Sequence, residues 1–139
     1  MSIIGNAVTV GGGGGEPELL WTNPNPSADF GKAGTNVTIS VDLTNYQGVI
    51  IKGKNNKNVD YWIWYAYFPK NIISASKPNY PKIVDFNTSS SYSDSGNYVR
   101  VVTSITNSSI TFSLPYEVGG SSNISYLIPT HIYGVKWTI

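Results

Sequence analysis

The sequence predicts an all-β chain: a β-sandwich, jelly-roll-like, with a flexible N-terminal arm. Three observations carry that prediction. Apolar residues recur with period two almost everywhere, the signature of strands with distinct faces. Clusters of Pro, Gly, Asn and Ser interrupt the alternation roughly every ten residues, the turn spacing of sandwiches. No window combines a 3.6-residue period with capping signals, so no helix is expected. With 139 residues, the chain is long enough for one domain with a conventional core.

Taken in order, residues 1–10 carry the short apolar run "SIIGNAVTV", whose alternating end is strand-like, and are expected to be an arm or docking segment. Residues 11–18 are a glycine-rich linker. A phosphate-binding loop would need a Lys-Ser/Thr pair and a helix after the glycines, whereas Glu16 and Pro17 follow here. As a flexible coil, five glycines span roughly 12 Å, enough to uncouple the arm without carrying it far. Residues 19–139 are expected to form the single sandwich domain.

Within that domain "NVTISVDL" alternates cleanly, Val37, Ile39, Val41 and Leu43 facing one way and Thr38, Ser40 and Asp42 the other. This pattern predicts a strand with one wet face. "GVIIKG" (48–53) predicts a short strand, and "KNNKN" after it a turn built from residues that tolerate left-handed geometry. "VDYWIWYAYF" (59–68) is apolar on both faces, which predicts either a central strand whose outer face is covered or a strand in a subunit interface. Weaker strands are expected at "NIISAS", "KIVDF", "NYVRVVTSIT", "SITFSL", "ISYLI" and "HIYGVKWTI", with "TNSS" (106–109) as a hairpin turn.

Composition bounds the chemistry. Lys+Arg 9 against Asp+Glu 8 leaves no concentrated positive field for phosphate backbones, so nucleic acid is not expected as a partner. Cysteine is absent, which excludes disulfides, thiolate metal ligation and a cysteine nucleophile. The start lacks the basic n-region of a signal peptide, and no stretch reaches the roughly 20 apolar residues of a membrane span. The single histidine, His131, has no ligand company nearby in sequence and reads as structural. The eight acids are spread singly from Glu16 to Glu117, without the paired carboxyls of a glycosidase. "SYSDSGN" (91–97) has one carboxylate, too few for a calcium loop. The expectation is therefore a protein that is not an enzyme and that uses neither metal nor cofactor. Four Asn-X-Ser/Thr triplets, at Asn36, Asn87, Asn107 and Asn123, carry little weight in a chain so rich in these residues.

Aromatic residues, 13% of the chain, are the informative excess. Flat sugar faces stack on such rings, which makes Tyr80 in "KPNYP" and Tyr92 and Tyr98 of the polar loop "NTSSSYSDSGNY" the candidate glycan-binding residues. Trp62, Trp64, Tyr65 and Tyr67 on the two-faced strand are either core or a candidate oligomer interface.

The edges of the chain, "MSIIGNAVTVGGGGGEPELLWTNPNPSADF" with "VTISVDL" and the closing "YLIPTHIYGVKWTI", resemble small structural proteins of tailed bacteriophages and prophages, the head- or tail-fibre components. The resemblance implies a virion protein whose β domain decorates the particle or contacts the host surface, including its glycans. It also implies a homo-oligomer, by preference a trimer, and docking to another virion protein through residues 2–10. The other function class that fits the aromatic excess is a stand-alone carbohydrate-binding module or lectin.

Overall fold

The computed structural model describes residues 15–32, 35–60, 62–70, 82–84, 98–112, 116–117 and 126–137, with the side chains of 82–84, 98–99 and 116–117 outside that description. The "NIISAS" strand expectation and the arm at 1–10 lie outside the described residues. The fold is all-β, two antiparallel sheets packed as a sandwich, and no helix occurs among the described residues. The strands are β1 (Glu18–Thr22), β2 (Val37–Ser40), β3 (Gly48–Asn56), β4 (Ile63–Pro69), β5 (Lys82–Val84), β6 (Tyr98–Ile105), β7 (Ser109–Phe112), β8 (Tyr116–Glu117) and β9 (Tyr126–Val135). The first sheet has the order β1-β9-β3-β4; the second runs β2-β7-β6-β5, with β8 paired to the first residues of β6.

The core forms where the inward residues of both sheets meet. Val49, Ile51, Phe68, Ile128 and Ile132 of the first sheet pack with Ile39, Val102, Ile105, Ile110 and Phe112 of the second. The alternation of "NVTISVDL" survives intact: Ile39, Val41 and Leu43 are buried while Thr38, Ser40 and Asp42 are exposed. Past β2 the chain stays beside the β6–β7 hairpin, the N–H groups of Val41 and Leu43 donating to the carbonyls of Ser108 and Asn107 at 3.1 and 2.7 Å. The hairpin closes at 106–109, where the Thr106 N–H donates to the Ser109 carbonyl at 2.9 Å. Phe30 fills the end of the core, edge-on to Trp21 and Phe112 with centroids 6.2 and 5.6 Å away.

Several elements differ from their sequence reading. β3 continues to Asn56, so the first residues of "KNNKN" are strand and the turn falls at Lys57 and Asn58. β4 begins at Ile63 and, among the described strands, stands at the end of its sheet, paired with β3 alone. β1 begins at Glu18, the last residue assigned to the linker. An extra residue at Leu20, where the register against β9 shifts, turns both Leu20 and Trp21 toward the core.

The runs "ISYLI" and "HIYGVKWTI" fuse into one strand, β9, that passes through Pro129. A bulge absorbs the irregularity: Lys52 pairs with His131 and Gly53 with Pro129, leaving Thr130 as the extra residue. Asn23 caps this bulge from the other side. Its N–H donates to the Thr130 carbonyl at 2.8 Å, and its Nδ2 donates to the Pro129 carbonyl at 2.9 Å. Its Oδ1 meanwhile accepts from the Asn25 N–H at 2.8 Å, turning the chain into "PNP".

The two sheets are also joined through a buried cation. Arg100 of β6 is fully buried, and its Nε and Nη2 donate to the carbonyls of Leu127 and Tyr126 at 2.8 and 2.9 Å. Its guanidinium lies over the Phe30 ring, 5.0 Å from the centroid. Burial pushes its pKa down to about 9, which still leaves it charged at neutral pH. Leu127 has φ 53, a left-handed conformation that costs a non-glycine residue about 1–2 kcal/mol. The arginine therefore holds the carbonyl of a strained, buried residue.

Gly53 is required by contact. A Cβ there would collide with the Trp64 ring carbons Cζ2 and Cη2, because the side chain of Trp64, its cross-strand partner, occupies that space. Two predictions follow from this packing. Arg100→Met removes donors from one buried and one part-buried carbonyl and is expected to lower stability by about 3 kcal/mol; an unchanged urea midpoint would contradict that. Gly53→Ala displaces the indole and is expected to destabilise by about 1–3 kcal/mol, visible as a changed near-ultraviolet circular dichroism band together with the lower midpoint.

Candidate functional site

The outer face of the first sheet is where side chains other than core collect. Inward residues of β3 are Val49 and Ile51, so Ile50 and Lys52 point outward, and the register carries their neighbours with them. One row across the sheet is Leu19, Tyr133, Ile50 and Tyr67. The next is Thr22, His131, Lys52 and Tyr65. A residue of a wet sheet face is ordinarily polar; here Leu19 and Tyr65 are 54% and 57% exposed.

Part of this face is closed by the chain itself. Trp137 folds back over the first row, its ring stacked on Tyr67 at 5.9 Å and 11°, and packs with Ile50 and Val135 in a small second cluster. Its indole N–H donates to the carbonyl of Gly15 at 3.0 Å. The last glycine of the linker is thus fastened beside the end of β9. Next to it Glu18 accepts from the Tyr46 hydroxyl at 2.7 Å and pairs with Lys136 at 3.4 Å. The Tyr46 bond first, then Lys136, holds the Glu18 carboxyl below its ordinary value.

The second row remains accessible. Lys52 Nζ stands 5.8 Å from the centre of the Tyr65 ring, and His131 stacks on Tyr133 with centroids 6.1 Å apart and 24° between planes. The Thr130 hydroxyl has a single proton, which it donates to the Lys52 carbonyl at 3.1 Å. It must then accept from His131 Nδ1, 2.9 Å away. That assignment leaves Nε2 of the neutral ring as an acceptor. Burial first, and the Lys52 charge second, push the His131 pKa down from its ordinary value.

The residues singled out in the sequence fall in different places. Trp62 and Tyr65 are exposed, and Tyr67 lies under Trp137 on the outer face. Trp64 turns inward against the main core, its indole N–H buried without a hydrogen-bond partner. Tyr80 and Tyr92 lie outside the described residues, and Tyr98 opens β6 with its side chain outside them. The sequence reading did not single out Leu19, Thr22, Lys52 or Tyr133, and it took His131, which lies in the accessible row, as structural. The available signal was alternation: "IIKG" and "HIYG" both place a polar or aromatic side chain beside a core isoleucine.

Elsewhere, Ser40, Val41, Asp42, Thr44, Asn107 and Ser108 line an open depression of about 410 Å³. Its one carboxylate, Asp42, accepts from the Thr44 hydroxyl and N–H at 2.6 and 3.0 Å, bonds that hold its pKa down and shape the local turn. Among the described residues no three His, Cys, Asp or Glu side chains gather as a metal site. Comparison of the chain with known protein families, with characterised proteins and with solved structures finds no match in any of the three.

The geometry at His131 is open to titration. Its imidazole is expected to titrate below the ordinary histidine value when followed by proton NMR, and Lys52→Gln is expected to raise that pKa part of the way back, since one of the two causes is removed. A midpoint unmoved by the substitution would show that the ammonium does not reach the ring.

Proposed function

We propose that the chain is a non-enzymatic, fibre-like structural protein of a virion, which assembles as a homo-oligomer and makes contact with a host surface. The observation that supports self-assembly is the start of β4. Trp62 has φ 58, a left-handed conformation that costs about 1–2 kcal/mol in a non-glycine residue. It is nonetheless 56% exposed, followed directly by Ile63 at 43%. Strain of this kind gathers at functional positions, and Ile63–Phe68 of β4 carry neither the charge nor the proline that protects edge strands from pairing, the one proline being the last residue, Pro69. The virion setting rests on the resemblance of the chain's edges to phage fibre components.

In this reading residues 2–10 dock to another virion protein. The hydrogen bond from Trp137 to Gly15 supports that role by fixing where the linker leaves the domain, at the end of β9. A second reading, the stand-alone lectin, is favoured by a different observation: the mixed polar and aromatic row Thr22, His131, Lys52 and Tyr65.

Light scattering separates the two. The purified chain is expected to have a solution mass that is a multiple of 15.1 kDa, three times that value in the fibre-like assembly the resemblance implies. The double variant Trp62→Ser/Ile63→Ser is expected to fall to the single-chain mass with its β-sheet circular dichroism unchanged. A wild-type chain that stays monomeric at all concentrations overturns the assembly and leaves the lectin.

A further inference from the structure

We propose that the row Thr22, His131, Lys52 and Tyr65, with Tyr133 beside it, is a subsite for a carboxylate-bearing saccharide such as a uronic acid chain. The inference rests on the reading of this sheet face as a contact surface and supplies the chemical class of what it contacts.

Charge gives the first argument. Lys54, Lys57 and Lys136 each pair with an acid, at 3.2, 2.8 and 3.4 Å, and Lys70 caps the carbonyls of Leu43 and Thr44. Among the described residues Lys32 and Lys52 have no acidic partner; Lys32 lies in an exposed loop, whereas the Lys52 ammonium stands over the Tyr65 ring on the sheet face. A cation left unpaired in the middle of a sheet face is complementary to an anion, and the flanking tyrosines select an anion with a flat apolar side.

Shape gives the second. Tyr65 is 57% exposed, so its ring can carry a sugar face. His131 lies two strands away, roughly 10 Å at the spacing of neighbouring strands, which is about the length of two linked pyranoses. The Thr130 hydroxyl fixes Nδ1 of that imidazole as the donor, so Nε2 is presented as an acceptor for a sugar hydroxyl. Thr22 adds a further hydroxyl at the end of the row. Every group in the row thus has a counterpart on an acidic disaccharide: Lys52 for the carboxylate, Tyr65 for the ring face, His131 and Thr22 for hydroxyls.

Single-stranded nucleic acid also offers flat rings and negative charge. Its binding, however, draws on several cations tracking successive phosphates, and this row holds one lysine. An apolar protein surface would favour the first row, which Trp137 already covers in part.

The experiment is calorimetric titration of the full chain with tetragalacturonate, with the matching neutral galactose tetramer and with a tetrathymidylate, the solution mass being measured on the same sample. Tetragalacturonate is expected to bind at least tenfold tighter than the other two. Lys52→Gln is expected to remove about tenfold of that affinity, the scale of one charge-assisted hydrogen bond, and Tyr65→Ala to remove detectable binding; Tyr65 is exposed and Lys52 half-buried on the outer face, away from the main core, so both variants are expected to keep the thermal midpoint nearly unchanged. Equal binding of the neutral tetramer, tighter binding of the thymidylate, or tetragalacturonate binding that survives Tyr65→Ala each overturns the proposal. An oligomer that binds no saccharide overturns it while leaving the assembly reading in place, whereas a monomer that binds the acid tetramer with the expected losses upholds it and overturns the assembly instead.

Discussion

The fold depends on how the backbone enters β9, and that entry is held by one buried side chain. Arg100 comes from the second sheet, yet its guanidinium ends on the carbonyls of Tyr126 and Leu127 in the first. A fully buried cation is expensive unless its donors are used. Here backbone oxygens and the face of Phe30 receive it, and Leu127, in a left-handed conformation, is kept in the orientation that aims its carbonyl at Nε. Because β9 pairs with both β1 and β3, its direction at the start determines the register of the whole sheet. Hydrophobic burial supplies the bulk of the driving force, but it has no direction; the arginine supplies that direction.

From this entry point the irregularities of β9 propagate outward in an ordered way. Thr130 is an extra residue, so its carbonyl and hydroxyl are available for bonds that a regular ladder would not allow. Asn23 takes the carbonyl, and the hydroxyl links the Lys52 carbonyl to His131. The bulge therefore fastens β1's exit, sets the rotation of the imidazole and spaces the accessible row. One residue thus serves both the strand pairing and the orientation of an outer-face imidazole.

How much of this was readable depends on whether the two faces of a strand differ. "NVTISVDL" was legible because its outer residues are polar, and the hairpin at 106–109 because Thr, Asn and Ser crowd its turn. β4 was not, since Trp64 and Tyr65 are equally aromatic and only Gly53, opposite Trp64 in another strand, makes room for one of them inside. β9 read as two strands because Pro129 and Thr130 look like a break; the partner that makes the break harmless, Asn23, lies near the other end of the chain. The accessible row was hidden for the same reason. Lys52, Tyr65 and His131 come from three strands, and pattern within one strand does not report register between strands.

The fastening of Gly15 to Trp137 has a mechanical side. β1 and β9 run antiparallel, and Glu18 is paired with Gly134, so tension applied between residue 15 and residue 137 arrives at one end of the ladder. It would load the Trp137–Gly15 bond, then the Glu18–Lys136 pair, then each β1–β9 bond in turn, peeling the strand like a zipper rather than shearing many bonds together. Pulling residues 15 and 137 apart would therefore open this domain at low force. Tension between residue 15 and the far strand β4 would instead run across the sheet through several ladders at once, and the domain would resist it.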